Sequence, residues 1–450
     1  MLSDHTCKPQ GEWNRIMRIV QLTPGTSGRI TCENCMRDNG LAKALHLMNH
    51  DILVVPVYLP LEIDETNGYA KGPLFFGGIN VFLQQKSAVF RKTPRWVDRF
   101  FDSPLLLAKV AGLTSMTKAQ DLADTTLSMI EGEKGRQAKE LDRLVDWLVK
   151  EARPDIIHFS NALLLGMVRL IKQQLDVPIL CSLQDEDTFI DPLPEPHRST
   201  VWDILSSRAA DVDAFIAVSN FYKNVMADRM RIPEERLFQI YNGVRVEEYP
   251  ISSALHDPPV IGFIEQLCPA KGLHILADAF VILKKRGRIP RVRLTVAGGV
   301  TTENKAYVRK IRRTLVENGV GDDVRFLPHL PQAKKMELMK TLSILSVPTT
   351  HPDAFGLYIL EALATGVPVV QPDHGAFPEL VQKTGGGILY KPNDGQALAA
   401  ALEKLLGDPK KLQRLGEQGR KGVIRDFHID DMADAYVRVY RTTIERSEKK

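Results

Sequence analysis

The chain has 450 residues, more than an ordinary domain of roughly 100–200 residues holds, so two domains, or one with a large insertion, are expected. Hydrophobic residues at 44% and charged residues at 25% make an ordinary globular balance and exclude long disorder as the main state. Its 59 basic and 55 acidic residues leave a formal charge of +4, too little to argue for a nucleic-acid partner.

Residues 1–16 read as a loose extension without the apolar stretch of a signal peptide. No apolar run approaches the roughly 18 residues that a spanning helix needs. The five cysteines, odd in number and sparse, give no disulfide framework. A cytoplasmic protein is expected.

Short β-branched runs at 18–22, 52–57, 79–83, 155–159, 178–183, 214–219 and 237–241 read as strands, with helical patterns between several of them. Leu141, Leu144, Val145 and Leu148 fall on one helix face. A turn-rich break at 250–259 follows, and the alternation restarts with runs at 260–265, 292–297, 324–327, 344–347, 368–371 and 387–390. Leu273, Leu276, Ala279, Phe280 and Leu283 mark the first helix of this second series. The pattern predicts an α/β protein of two doubly wound domains, 17–250 and 260–427, each a parallel sheet between helices. Ligands of such sheets bind outside the carboxyl ends of the strands, so two sheets facing each other make a cleft. A last helix, within 428–450, is expected to pack across both domains.

The segment 84–135 fits this scheme poorly and reads as an insertion in the first domain. It mixes Arg91, Lys92, Arg95, Arg99 with Trp96, Phe100 and Phe101. Such a mixture docks on a membrane surface or binds an acceptor, or else is a solvated face with snorkelling stems.

The residues richest in chemistry run from His351 through Asp353, Phe355, Gly356 and Leu357 to Glu361, between a strand and a helix. Gly356 allows close backbone approach to a ligand, and the free amides of the helix start favour oxygen-rich or anionic groups. Asp353 and Glu361 are placed to accept hydrogen bonds from sugar or ribose hydroxyls. A capped, buried helix with a salt bridge is the alternative reading of that pair.

This stretch, continuing into Gly366-Val367-Pro368-Val369, resembles the E-x7-E signature of the retaining glycosyltransferases of family 4, the large group 1 family that includes sucrose-phosphate synthase and mannosyltransferases. Further similar elements lie in order: Pro24-Gly25-Thr26-Ser27-Gly28 after the first strand, Ala217-Val218-Ser219, Tyr241-Asn242-Gly243-Val244, Pro269-Ala270-Lys271-Gly272-Leu273 and Ala297-Gly298-Gly299. Phe76-Gly77-Gly78-Ile79-Asn80-Val81 is similar to a stretch of the starch and glycogen synthases, and Cys32–Asn39 and 183–187 to mostly bacterial relatives. The resemblance implies the two-domain GT-B fold, Rossmann-like halves facing across a cleft. It also implies transfer of a sugar from a nucleotide-diphosphate sugar with retention of configuration, with neither metal nor cofactor.

By the same resemblance Lys271 contacts the diphosphate, with Gln266 and Gly28 in the donor site. The amides of Phe355, Gly356 and Leu357 hold the donor, Glu361 binds the ribose and Asp353 meets the donor sugar. The acceptor, whether glycan, lipid or small molecule, falls to the first domain, where Gln184 and Asp185 are candidates; His158, ending a strand, reads either as an acceptor-side donor in the cleft or as a satisfied core histidine.

Three positions depart from the family pattern. Gln266 stands where an arginine is usual, Asp353 replaces the first glutamate, and Gln184 falls near the first-domain histidine. These departures leave open a catalytically degenerate protein that binds nucleotide sugar or glycan; a glycan phosphorylase-like enzyme is a further alternative. Cys32 and Cys35 are spaced like a redox or zinc pair, yet nothing nearby completes a zinc site. The Asp185-Glu186-Asp187 and Asp211-Val212-Asp213 triplets match a metal-binding pattern that recurs by chance.

Overall fold

The structure, a computed structural model, describes residues 15–25, 33–58, 70–73, 75 and 119–449. Gly28, Cys32, the 79–83 run and the Arg91–Phe101 stretch lie outside the described residues. Two parallel sheets carry the fold. The first holds β1 (Arg18–Thr23), β2 (Asp51–Pro56), β3 (Ala70–Lys71), β4 (Ile156–Phe159), β5 (Ile179–Leu183), β6 (Ala214–Ala217) and β7 (Leu237–Gln239), in the order β3-β2-β1-β4-β5-β6-β7. The second holds β8 (Val260–Ile264), β9 (Arg293–Ala297), β10 (Val324–Leu327), β11 (Ile344–Leu345), β12 (Val369–Pro372) and β13 (Gly387–Tyr390), in the order β10-β9-β8-β11-β12-β13.

Each sheet reverses its order once, beside its first strand. β1 pairs with both β2 and β4, with Ile19 opposite Ile52 and Ile156. β8 likewise pairs with β9 and β11, with Ile261 opposite Leu294 and Ile344. At such a reversal the helices leave to opposite faces and a crevice opens at the carboxyl ends. The two crevices are where the functional residues gather.

Local sequence explains the elements. The Leu273–Arg286 helix buries Leu273, Leu276, Ala279, Phe280 and Leu283, and Gly287, at φ 65°, ends it where three basic residues face the negative end of its dipole. Leu141, Leu144 and Val145 are buried in the Ala138–Trp147 helix, while Leu148 begins a wider π turn.

The last helix differs from expectation. The chain crosses back to the first sheet after the Pro409–Asp426 helix, and Ile429–Ser447 packs there against the Glu33–Leu47 helix rather than across both halves. Ile429, Met432, Ala433, Tyr436, Val437, Val439 and Tyr440 join Met17, Ile19, Leu41 and Leu45 in one core cluster. The larger of these side chains contribute about 1.5–3 kcal/mol each on burial, so the helix is an integral layer of the first half. Tyr241, Phe355 and Phe427 meet at the crossing, with Tyr241 and Phe427 centroids 5.1 Å apart.

Candidate active site

The second sheet builds a cradle from three loops. After β8 come Glu265 and Gln266, then a tight turn carrying Lys271. Gly272 sits at φ 73°, and a Cβ there would lie 1.7 Å from the carbonyl oxygen of Pro348, so only glycine lets the lysine loop press against the loop after β11. That second loop presents Asp353 and enters the Leu357–Thr365 helix through Gly356, at φ 90°, where a Cβ would meet the Phe377 ring at 3.0 Å. The third loop, after β9, brings Gly298 so close that a Cβ would fall 1.8 Å from the Glu265 carbonyl oxygen.

Lys271 Nζ lies 3.2 Å and 3.4 Å from the two carboxylate oxygens of Asp353, and the Tyr358 hydroxyl donates to the nearer one at 3.0 Å. Burial works against the lysine's charge, but Asp353, Glu265, Glu33 and Asp185 outweigh it and hold the ammonium well above its ordinary range. Lys271 is therefore charged at any physiological pH, with Asp353 oriented from two sides.

The pocket beside this pair is lined by Ile264, Glu265, Gln266, Gly298, Gly299, His329, Leu330, Lys335, Leu357, Tyr358 and Glu361, with Glu33 and Met36 from the first half. Gln266 and Glu361 thus reach the same pocket, as the sequence suggests. Glu361 is already engaged: Lys335 Nζ lies 2.5 Å from one oxygen, and Gln332 Nε2 and the Tyr249 hydroxyl donate to the other at 3.0 Å and 3.3 Å. Lys335, Gln332 and Tyr249 carry no local motif, which is why sequence reading missed them. The Phe355 side chain is buried in the aromatic cluster at the crossing, so only its backbone faces the helix start.

From the first half, Gln184 and Asp185 follow β5 to the cleft. Gln184 Oε1 accepts from Arg37 Nη1 at 3.2 Å and from Asn242 Nδ2 at 3.1 Å, which turns its NH2 group toward Glu33 Oε2 at 3.3 Å. Asp185 is held in the left-handed region at φ 66°. Burial, then the neighbouring Asp353 carboxylate, pushes its carboxyl up to about 7 against the pull of Lys271.

Glu33, at the start of its helix, lies in the Cys32–Asn39 stretch, to which sequence analysis gave no site role: its Oε1 accepts the Leu357 N–H across the cleft at 3.0 Å. Burial is the main cause that raises its carboxyl well above the ordinary range; Lys271 opposes, and Asp185, Glu265 and Asp353 add to it.

His158 does not reach the cleft. It lies on the face of β4 covered by the last helix, with Nε2 2.8 Å from Ser182 Oγ and Nδ1 2.9 Å from the Tyr440 hydroxyl. Burial, aided by Arg37, drives its pKa well below the usual value, so it is a neutral core histidine. Of the two readings that the strand-end position left open, the core histidine is the one found: strand alternation and the returning helix turn the ring inward.

Apart from Asp185, the acidic triplets are engaged within the fold. Glu186 accepts from Ala162 N and the Tyr222 hydroxyl, Asp187 from the same hydroxyl, while Asp211 and Asp213 pair with Arg169 and Lys172. Among the described residues no group of three or more His, Cys, Asp or Glu side chains is arranged to hold a metal ion. No helix among them is long and apolar enough to cross a membrane.

Two more contacts close the cleft. Ser219 Oγ donates to the Ala354 carbonyl at 2.7 Å, and Glu379 accepts from the Asn220 and Phe221 N–H groups at 3.0 Å and 2.6 Å. Glu379, in the first turn of its own helix, thus caps a helix of the opposite half.

Comparison with known proteins agrees with this architecture. Residues 246–422 match the family described as Glycosyl transferases group 1, and residues 129–248 match Glycosyltransferase Family 4; together they cover more than half of the chain. The chain is 26% identical over 299 residues to a glycogen synthase of Mycobacterium tuberculosis, covering 64% of this chain and 69% of that one. It is 25% identical over 396 residues to a D-inositol 3-phosphate glycosyltransferase of Segniliparus rotundus, covering 82% and 85%. Among solved structures, Anabaena HepE in complex with UDP and glucose superposes with a TM-score of 0.69 at 17% identity, covering 95% of this chain and 100% of that one. Sucrose-phosphate synthase from Thermosynechococcus elongatus gives 0.69 at 18% identity, covering 95% and 99%. The paired sheets, the cradle at their carboxyl ends and the two matched families agree: the chain belongs to the group 1 glycosyltransferases and is a transferase enzyme of the GT-B fold.

Proposed function

We infer that the enzyme moves a sugar from a nucleotide-diphosphate sugar to an acceptor, with retention of anomeric configuration and without a metal. The observation that carries this reading is the convergence of charged Lys271 and the Leu357 N–H on the space outside β8 and β11. As the bond between the sugar C1 and the phosphate oxygen breaks, the electron pair stays on the diphosphate. A fixed ammonium and the amides at a helix start oppose that growing charge without reorganisation. HepE has been solved with UDP and glucose, and starch synthase IV of Arabidopsis thaliana with ADP and acarbose, which fits a nucleotide donor on this scaffold.

In this reading the base and ribose lie along Gly298, Gly299, His329 and Leu330, and Glu361 shares its carboxylate between Lys335 and the ribose hydroxyls. Asp353, oriented by Tyr358 and Lys271, meets the donor sugar. Same-face attack assisted by the leaving phosphate needs no dedicated nucleophile. A glycan, lipid or small-molecule acceptor enters from the side of Gln184 and Asp185.

The test is thermal unfolding against uridine, guanosine and adenosine diphosphates and their sugars. Ligand at 100 times its dissociation constant stabilises the folded state by about 2.7 kcal/mol. A shift with one base, lost in Lys271→Ala, is expected; no shift with any of them refutes the donor reading.

A further inference from the structure

The Leu357 N–H, assigned above to the donor's diphosphate, already holds a carboxyl group that belongs to the protein. Glu33 reaches it from the opposite half, 324 positions away in sequence, with Oε1 3.0 Å from the amide nitrogen. Its other oxygen accepts from Gln184. This is not a loose surface side chain. Gln184 has no freedom to turn its amide, because Arg37 and Asn242 both donate to its oxygen. Arg37 is itself buried, and Asp38 and the Ser160 carbonyl pin it. The carboxylate is therefore presented to the helix start by a preformed scaffold.

Its surroundings make the contact costly. Asp185, Glu265 and Asp353 repel Glu33, and Lys271 draws it in. A carboxyl group that accepts on both oxygens at a crowded helix start, between a lysine and three carboxylates, behaves as a stand-in for the ligand.

We propose that Glu33 is a built-in competitor for the donor: its carboxylate fills the phosphate cradle of the empty enzyme and is displaced from Leu357 when a nucleotide-diphosphate sugar binds. This rests on the donor-site reading above and adds what sets its selectivity. Inorganic phosphate, with a single phosphoryl group, sets less charge against the displaced carboxyl group and reaches fewer of the donor contacts. A diphosphate brings more charge to Lys271 and the helix start, so it wins the exchange. After transfer, return of Glu33 to the amide favours release of the spent nucleoside diphosphate.

Calorimetric titration of the full chain with the nucleoside diphosphate that stabilises it, and with inorganic phosphate, tests this. Glu33→Gln keeps the shape and removes the charge. Glu33→Asp keeps the charge and withdraws it by one methylene, guarding against a fold defect in either variant. Both are expected to bind the diphosphate about 10-fold or more tighter, the scale of a charged hydrogen bond. Discrimination against inorganic phosphate is expected to shrink. Unchanged or weaker diphosphate binding in both variants, with Lys271→Ala still abolishing it, overturns the competitor while leaving the donor site standing. No binding by wild type or either variant overturns both.

Discussion

Lys271→Ala removes the ammonium that sits 3.2 Å from Asp353 and that Asp353, Glu265, Glu33 and Asp185 all attract. Two effects follow, and they have separate readouts. For stability, truncating one member of a buried pair costs about 3–5 kcal/mol when the other charge stays stranded. Asp353 keeps its Tyr358 hydrogen bond and the lysine side chain is 21% exposed, so the lower end of that range applies here. For binding, loss of a charged hydrogen bond to the diphosphate costs about 1.5–3 kcal/mol, roughly 10- to 150-fold in dissociation constant. The carboxylates left behind repel the ligand further, so the observed loss should sit at or beyond the upper end. Differential scanning calorimetry gives the first number and isothermal titration with the stabilising nucleoside diphosphate gives the second, with Lys271→Arg as the charge-preserving control. A folded Lys271→Ala protein that binds the diphosphate with wild-type affinity would show that this lysine serves only to neutralise Asp353.

Gln266→Arg restores a cation beside Glu265 in the pocket and should raise the transfer rate, on the scale of about 10²–10³ that one charge-stabilising donor is worth; a loss of activity would mean that Gln266 has another task. His158→Phe strands the Tyr440 hydroxyl, leaves Ser182 with Tyr436 alone, and should lower unfolding stability by about 1–3 kcal/mol with donor affinity intact; weaker donor binding in a folded variant would contradict its placement in the core. Asp185, with its carboxyl pushed up to about 7 by burial and Asp353, favours the neutral form when folded. Its contribution to stability is therefore full below the unfolded pKa and is lost as pH rises through 7. The charge gained there also repels the donor, so binding of a nucleotide sugar should weaken between pH 6 and 8 and this slope should flatten in Asp185→Asn; an equal slope in both would assign it to another group. Gly356→Ala forces a side chain to φ 90° and against Phe377, and should cost about 1–3 kcal/mol and disturb the helix start; a fully stable variant would refute the strained entry.

Most of the fold is legible in the chain because its signals are local. Short β-branched runs separated by amphipathic helices require a parallel sheet, and the break at 250–259 marks where one series stops and the next begins. The same holds for half of the site: Lys271, Asp353 and Gly356 sit on turns whose glycines adopt left-handed or closely packed backbone, and Glu361 lies in the helix that follows. The other half carries no such mark. Glu33 is one acidic residue in a helix start, and its role exists only because β1 and β11 both end at the cleft. His158 and Gln184 both stand near strand ends in sequence, yet the returning Ile429–Ser447 helix buries one while Arg37 and Asn242 aim the other at Glu33. Glu361 gains Lys335 from a neighbouring helix, and Glu379 caps a helix of the opposite half. The sequence by itself determined the two sheets and the turns that cradle an anion, since backbone conformation follows from nearby residues. Only the tertiary structure decided which side chains face that cradle and with what charge, because strand order and the crossing of the last helix choose partners hundreds of residues apart.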